Sequence, residues 1–389
     1  MTSTERQGVT APGGFRASGV VAGLKSSGGP DVALVLNDGP SRTAAAVFTA
    51  NRVKAAPVLW TQQCLTTGRL AAVVLNSGGA NACTGPDGFA DTHRTAEHLA
   101  ALLDVGPIEI GVCSTGLIGL RLPMDCLLPG VDAAAAALAP DGGPDAALAI
   151  MTTDSVPKTA QASAGGVTVG GMAKGAGMLA PGLATMLVVL TTDADLDPVT
   201  ADAALREACS ASFDRIDSDG CMSTNDTVLL LASGASGVRP APEDFQALLS
   251  GVARDLAEQL IADAEGASKE IMIRVSGAAS TSDAQTAARA VARSNLFKAA
   301  IHGEDPNWGR VLAAIGTTDA AFEPDMIDVA INGVQVCRNS TPGEPRDLVS
   351  MAARRVDIDI DLHAGQADGW ILTNDLTADY VHENSAYST

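Results

Sequence analysis

Aromatic residues are scarce: three Trp, two Tyr and seven Phe make up 3% of 389 residues. A core with so few rings has to be filled by Ala, Val, Leu and Ile, so fold specificity rests on aliphatic packing. Positive charge is also short. Twenty-five Lys and Arg against 45 Asp and Glu leave a formal charge of −20 and a pI near 4.5. That field repels phosphate backbones and anionic headgroups, which excludes nucleic-acid and membrane-surface partners and leaves small molecules as the expected ligands. No apolar run is long enough to span a bilayer, and residues 1–7 lack the apolar stretch of a signal peptide, so the expected location is cytoplasmic. The seven cysteines form no C-x-x-C pair, which fits reduced thiols. The five histidines lack metal-ligand spacing with Cys or Glu, so no metal is expected.

What is present is a soluble-type chain, 46% hydrophobic with 40 glycines, long enough for more than one core. Apolar runs at Ala71–Leu75, Ile108–Val112 and Met186–Leu190 read as buried strands. Apolar residues recurring every three or four positions predict helices around Thr95–Leu103, Ala201–Ala211 and Phe245–Ala264, and an Ala-rich helix over Ala133–Ala137. Ala139–Pro144 and Arg239–Pro242 read as loops. The alternation predicts an α/β or α+β layered protein, with no internal repeat.

The most informative segment is Gly170 to Asp193, a glycine-rich loop that runs into Thr185 and then an apolar strand. A threonine hydroxyl is a weak nucleophile unless a base stands beside it. A free α-amine on the same residue supplies one, and its pKa of roughly 8 suits neutral pH. Gly175-Ala-Gly-Met-Leu-Ala180 superficially matches a dinucleotide fingerprint. Pro181-Gly182 follow, so no helix is expected to start there, and the apolar strand comes after the glycines.

Ala173-Lys-Gly-Ala-Gly-Met178, Leu183-Ala-Thr-Met186 and Thr191-Thr-Asp193 together resemble the self-cleavage segment of ornithine acetyltransferases, also called glutamate N-acetyltransferases. The likeness continues through Asn76–Asn81, Cys113–Gly119, Ile150–Asp154, Ser223–Asp226, Asp263–Gly266, Asp305–Arg310 and Glu383–Tyr387. Seven further ordered blocks are far more specific than any one of them.

The resemblance implies autocleavage of the Ala184–Thr185 bond into an α chain, 1–184, and a β chain, 185–389. Thr185 then carries acetyl from N-acetylornithine to glutamate in a ping-pong cycle. It implies Thr115 and Gly116 as the oxyanion hole, and Thr152, Lys174, Thr185, Glu265, Asn384 and the terminal Thr389 as substrate-binding residues. Lys174 is expected at the α-carboxylate and Glu265 at the ornithine amine. No cofactor is implied, while acetyl-CoA stands as an alternative acetyl donor. The expected fold is ornithine acetyltransferase- and DmpA-like N-terminal-nucleophile architecture: mixed sheets layered with helices, two lobes with the site between them, and cleaved chains paired as an α2β2 heterotetramer.

Each residue also has an ordinary reading. Lys174 reads equally as a solvated loop lysine, Glu265 as a helix-end carboxylate paired with Lys269, and Thr115 as a turn residue after a strand. Trp308 and Arg310 read as fixing a loop. Asp217-Ser-Asp-Gly220 is not a calcium loop, because its glycine comes too early and no glutamate stands at position twelve. Two further functions compete: an N-terminal-nucleophile aminopeptidase or amidase using the same Thr185 with water as acceptor, and an acidic amino-acid-binding protein that stays uncut.

Overall fold

The computed structural model describes residues 7–180 and 186–386. The chain divides into two compact units, Met1–Asp214 with Met222–Leu260, and Arg215–Cys221 with Ile261–Thr389. This division does not coincide with the 184/185 boundary implied by cleavage.

The first unit contains strands β1 (Phe15–Val20), β2 (Val32–Asn37), β3 (Thr43–Phe48), β4 (Ala72–Asn76), β5 (Ile110–Ser114), β6 (Lys158–Ala164), β7 (Val167–Lys174), β8 (Leu187–Thr192) and β9 (Thr227–Ala232). Its helices are α1 (Ala56–Cys64), α2 (Gly85–Leu103), α3 (Met124–Ala136), α4 (Gly143–Ala149), α5 (Pro198–Ala211) and α6 (Pro242–Ala262). One sheet has the order β1-β2-β4-β5, the other β3-β9-β8-β7-β6. Every residue of β2, β4, β5, β8 and β9 is buried, so these strands are covered on both faces. That explains why they read as continuous apolar runs without polar alternation. The core joins Val35, Val73, Leu75, Leu99 and Ile110 with Met172, Val189 and Leu229. Each fully buried Leu contributes roughly 1.5–3 kcal/mol.

Local signals set the boundaries. Asp197 caps α5 by accepting from the N–H groups of Val199 and Thr200, both at 3.0 Å, and Pro198 opens the helix. The sequence placed an apolar strand only after the glycines; a strand also precedes them, because β7 ends at Lys174 and pairs antiparallel with β8. No helix begins over 175–180, so the fingerprint still fails.

The second unit has strands β10 (Glu270–Ala278), β11 (Asp328–Ile331), β12 (Val334–Arg338), β13 (Thr341–Pro342), β14 (Arg355–Asp361) and β15 (Ala367–Asn374), in the sheet order β13-β12-β11-β14-β10-β15. Its helices are α7 (Thr281–Ala292), α8 (Asn295–His302), α9 (Trp308–Ile315) and α10 (Ala378–Ala386). β14 alternates buried and half-buried residues, and Ile358 and Ile360 join Ile271, Ile273 and the alanines of α7 in an aliphatic core. Trp308 and Arg310 are not loop residues. They form the first turn of α9, capped by the Asn307 side chain, which accepts from the Arg310 N–H at 3.2 Å. Among the described residues, no helix is long and apolar enough to cross a membrane. The chain is thus the layered α/β protein that the sequence predicts, with the mixed sheets that the resemblance implies.

Candidate active site

In the first unit Thr115, Gly116 and Lys174, three of the residues the resemblance implies for the site, lie where β5 and β7 end. β5 leaves the sheet at Ser114 and enters a turn braced by Asn76 and Asn225. The Ser114 hydroxyl donates to Asn76 Oδ1 at 2.6 Å, and Asn225 Nδ2 donates to the Ser114 carbonyl at 2.8 Å. Thr115 follows, buried, with its N–H donating to the Asn76 carbonyl at 2.9 Å. Its backbone donor is therefore already spent, and its hydroxyl is the group that remains. Gly116 sits at φ +131°, and a Cβ there would lie 2.8 Å from the backbone N of Gly79, so only glycine fits the turn.

Lys174, the last residue of β7, is 2% exposed, and its Nζ donates to Thr115 Oγ1 at 3.3 Å. It is not a solvated loop lysine. A buried ammonium needs a counter-charge, and Asp154 supplies it. The Asp154 carboxylate accepts from Lys158 Nζ and the Gly175 N–H, both at 2.6 Å, and from the Thr152 N–H at 3.0 Å. Burial alone pushes this carboxyl up. The charges of Lys174 and Lys158, with the Gly175 N–H, outweigh it and hold the group at about 2. Lys25 stands within the same field: burial and Lys174 lower its affinity for a proton, against Asp31 and Asp154. Lys158 and Lys174 thus share one buried carboxylate, while Lys25, whose Nζ donates to the Pro30 carbonyl at 2.7 Å, feels its field. Thr152 is half-buried, tied to the cluster through its N–H.

Asp226 lies just before β9, fully buried, and its Oδ1 accepts from the Met186 N–H at 3.1 Å. Burial drives its carboxyl well above the usual carboxylate range, against the Met186 N–H, the nearby Thr49 and Ser223 hydroxyls and the Lys174 charge.

Glu265 and Asn384 come together in the second unit. Asn384 Nδ2 donates to Glu265 Oε2 at 2.9 Å and to the Tyr380 carbonyl at 3.0 Å. Helix α10 is docked on this turn: the Thr377 hydroxyl donates to the Gly266 carbonyl at 2.7 Å, and the Tyr380 hydroxyl to Asp219 at 3.3 Å. Burial, with Glu265 and Asp379 nearby, raises the Glu383 carboxyl. The alternative pairing of Glu265 with Lys269 fails, because Lys269 turns to Glu304 at 2.8 Å and to the Met351 carbonyl at 2.6 Å. Asp217, the first residue of the rejected calcium loop, is buried and accepts from Arg293 Nε at 2.7 Å.

Ala184, Thr185 and Thr389 lie outside the described residues. Sequence reasoning missed Lys25, Asp154, Lys158 and Asp226 as members of the cluster. The signal was present: Asp154 and Asp226 end two of the matched blocks, and Asp154 and Lys158 stand four apart with opposite charge.

Fold and site define the class, a layered α/β enzyme whose buried cationic cluster stands at the end of a glycine-rich strand connection. The model of the ArgJ family matches residues 16–389. The arginine biosynthesis bifunctional protein ArgJ of Streptomyces coelicolor is 65% identical over 98% of this chain and 100% of its own length, and that of Mycobacterium tuberculosis is 57% identical over 98% and 97%. Among solved structures, ornithine acetyltransferase from M. tuberculosis, complexed with ornithine, is 59% identical over 46% of this chain and 96% of that chain, with a TM-score of 0.43. The chain belongs to the ArgJ family.

Proposed function

We propose that this enzyme transfers acetyl from N-acetylornithine to glutamate in arginine biosynthesis, after cutting itself before Thr185. The observation that carries this reading is a register. Lys174 is the ladder partner of Leu187, two residues after Thr185, while its Nζ meets the Thr115 hydroxyl. A buried lysine and a hydroxyl therefore flank the start of β8, two residues after Thr185 in sequence. End-to-end identity to proteins named for arginine biosynthesis supplies the pathway.

In self-cleavage the Thr185 hydroxyl attacks the Ala184 carbonyl carbon, the amide nitrogen takes the hydroxyl proton as its bond breaks, and water hydrolyses the resulting ester. The products are an Ala184 carboxylate and a free Thr185 amine. In turnover that amine accepts the hydroxyl proton as Thr185 attacks the acetyl carbonyl, then hands it to the departing ornithine nitrogen. The amine of glutamate attacks the acetyl-Thr185 ester, forms N-acetylglutamate and restores the hydroxyl.

The oxyanion formed in each half-reaction needs two aligned donors. Thr115 serves through its hydroxyl, since its N–H is spent on Asn76, and Gly116 through its N–H, which has no partner among the described residues. Lys174 receives the substrate α-carboxylate beside Thr152, while Glu265 and Asn384 bind the ornithine amine, with Thr389 completing the set. The word bifunctional in the relatives' names supports acetyl-CoA as a second donor to the same nucleophile. Chains 1–184 and 185–389 remain together and assemble as α2β2, in the cytoplasm, where the seven free thiols persist.

The test is the mass of the purified chain under denaturing conditions, followed by acetyl transfer with and without glutamate. Two fragments, the second starting at Thr185, and glutamate-dependent loss of acetyl from acetylornithine are expected, with a single 39.2 kDa chain for Thr185→Ala. Acetyl loss at equal speed without glutamate identifies a hydrolase instead, and an uncut native chain defeats the proposal.

A further inference from the structure

The second unit holds a cavity that none of the site residues above lines. Helix α7 has two faces. Ala284, Ala287, Ala288 and Val291 enter the aliphatic core, while Thr286, Arg289 and, at the C-terminal cap, Arg293 recur at intervals of four and three on the other side. Residues 317–319, just after α9, face them across a cavity of about 440 Å³. That volume lies within the range that takes a small organic ligand.

The polar groups of the α7 wall are only partly spent. Arg293 Nε donates to the buried Asp217 at 2.7 Å, and its two terminal nitrogens have no hydrogen-bond partner among the described residues. Arg289 Nη1 stands 3.9 Å from the same carboxylate. Thr286 is half-buried, and its hydroxyl has no partner among the described residues. On the opposite wall the Thr318 hydroxyl is committed to the Ile315 carbonyl at 2.8 Å. Asp319 beside it is exposed and has no ion pair among the described residues. The charged lining is therefore two guanidiniums on one wall and one carboxylate on the other. A guanidinium fork beside a hydroxyl matches the two oxygens of a carboxylate. A lone carboxylate opposite repels a second anionic group and receives an amine.

We propose that this cavity binds a small zwitterion, its carboxylate on Arg293, Arg289 and Thr286 and its ammonium on Asp319. A simple anion meets the repulsion of Asp319, and a simple cation that of the two arginines, so both charges are needed on one molecule. None of the lining residues is shared with the Lys174 cluster or with the Glu265–Asn384 pair, so occupancy does not depend on self-cleavage.

The full chain is titrated calorimetrically with 4-aminobutyrate, which carries both charges but lacks the α-amino acid head of the substrates, and with butyrate and butylamine, which carry one charge each. Native protein is compared with Thr286→Phe, which fills the cavity from the α7 wall and leaves the Arg293–Asp217 pair in place, and with Asp319→Asn, which removes one exposed charge. Thermal melts check that each variant is folded, and Asp319→Asn decides alone if Thr286→Phe is not. Native protein is expected to bind 4-aminobutyrate saturably, with butyrate and butylamine at least about tenfold weaker, the worth of one charge-assisted hydrogen bond. Thr286→Phe is expected to lose this binding, and Asp319→Asn to bind 4-aminobutyrate no better than butyrate. The proposal is overturned by the absence of saturable heat up to about 10 mM, by undiminished binding in either folded variant, or by butyrate or butylamine binding native protein as tightly as 4-aminobutyrate.

Discussion

Asparagine at position 154 removes one charge from the densest part of the cluster while preserving shape and leaving an oxygen for the Gly175 or Thr152 N–H. The magnitude follows from the carboxyl's own equilibrium. Held at about 2 where an isolated aspartate sits at 3.8, it contributes about 2–3 kcal/mol of folding free energy at pH 7. The substitution also takes from Lys158, which is fully buried, the carboxylate it meets at 2.6 Å. Breaking one side of such a pair typically costs about 3–5 kcal/mol. Asp154→Asn is therefore expected to lose about 3 kcal/mol, a fall in Tm of about 6–12 °C by calorimetry at pH 7. Two companion measurements sharpen the test. Asp154→Asn with Lys158→Met should recover at least about 1 kcal/mol, since a buried pair replaced by apolar groups is often neutral. Because the folded carboxyl binds its proton less readily than the unfolded one, its contribution is complete above about pH 4 and is lost as pH falls towards 2. The difference between native protein and Asp154→Asn must shrink over that window. A variant that melts within about 1 °C of native at pH 7, or a gap that stays constant down to pH 2, refutes the assignment of Asp154 as the counter-charge.

Thr115→Val keeps the side-chain shape and the N–H to Asn76 but removes the hydroxyl, so kcat for acetyl transfer should fall about 10²–10³-fold with little change in KM; a loss under about fivefold would remove Thr115 from the oxyanion hole. Gly266→Ala places a Cβ 2.3 Å from the backbone N of Tyr380 at φ +61°, which must push α10 away from the 264–267 turn. Faster proteolysis within α10 and a raised KM for acetylornithine are expected, and native protease resistance would show that the turn yields without releasing the helix.

The apolar core strands were legible because they are buried on both faces. Ala71–Leu75 and Met186–Leu190 each sit within one or two residues of β4 and β8. The start near Ile108 was early because Pro107–Glu109 form a short 3₁₀ turn that apolar composition does not reveal. The hairpin of β6 and β7 escaped notice: more than half of its strand residues are Ala, Ser, Thr and Gly, whose pattern resembles a loop until Gly165 and Gly166 make the turn. Thr115, Lys174, Glu265 and Asn384 could be named from motif resemblance, yet their surroundings could not. Asp154 pairs with Lys158 close in sequence but owes its burial to β7, and Asp226 meets Met186 across forty residues. Such partnerships are created by sheet register, which is a long-range property.

The order of the second sheet in the first unit has a consequence for the life of the enzyme. β3, β7 and β6 lie before Thr185 in the chain and β8 and β9 after it, so the order β3-β9-β8-β7-β6 inserts two downstream strands between upstream ones. Opening the backbone at Thr185 releases no layer and exposes no edge, because ladders on both sides of the inserted pair still join the fragments. Such a molecule is assembled once, as a single polymer, and separately synthesised fragments would each emerge with an unfilled gap or a pair of bare edges. On the proposed cleavage, the intact precursor would serve as the template for its own two-chain product, and the cut would mark the end of folding as much as the beginning of catalysis.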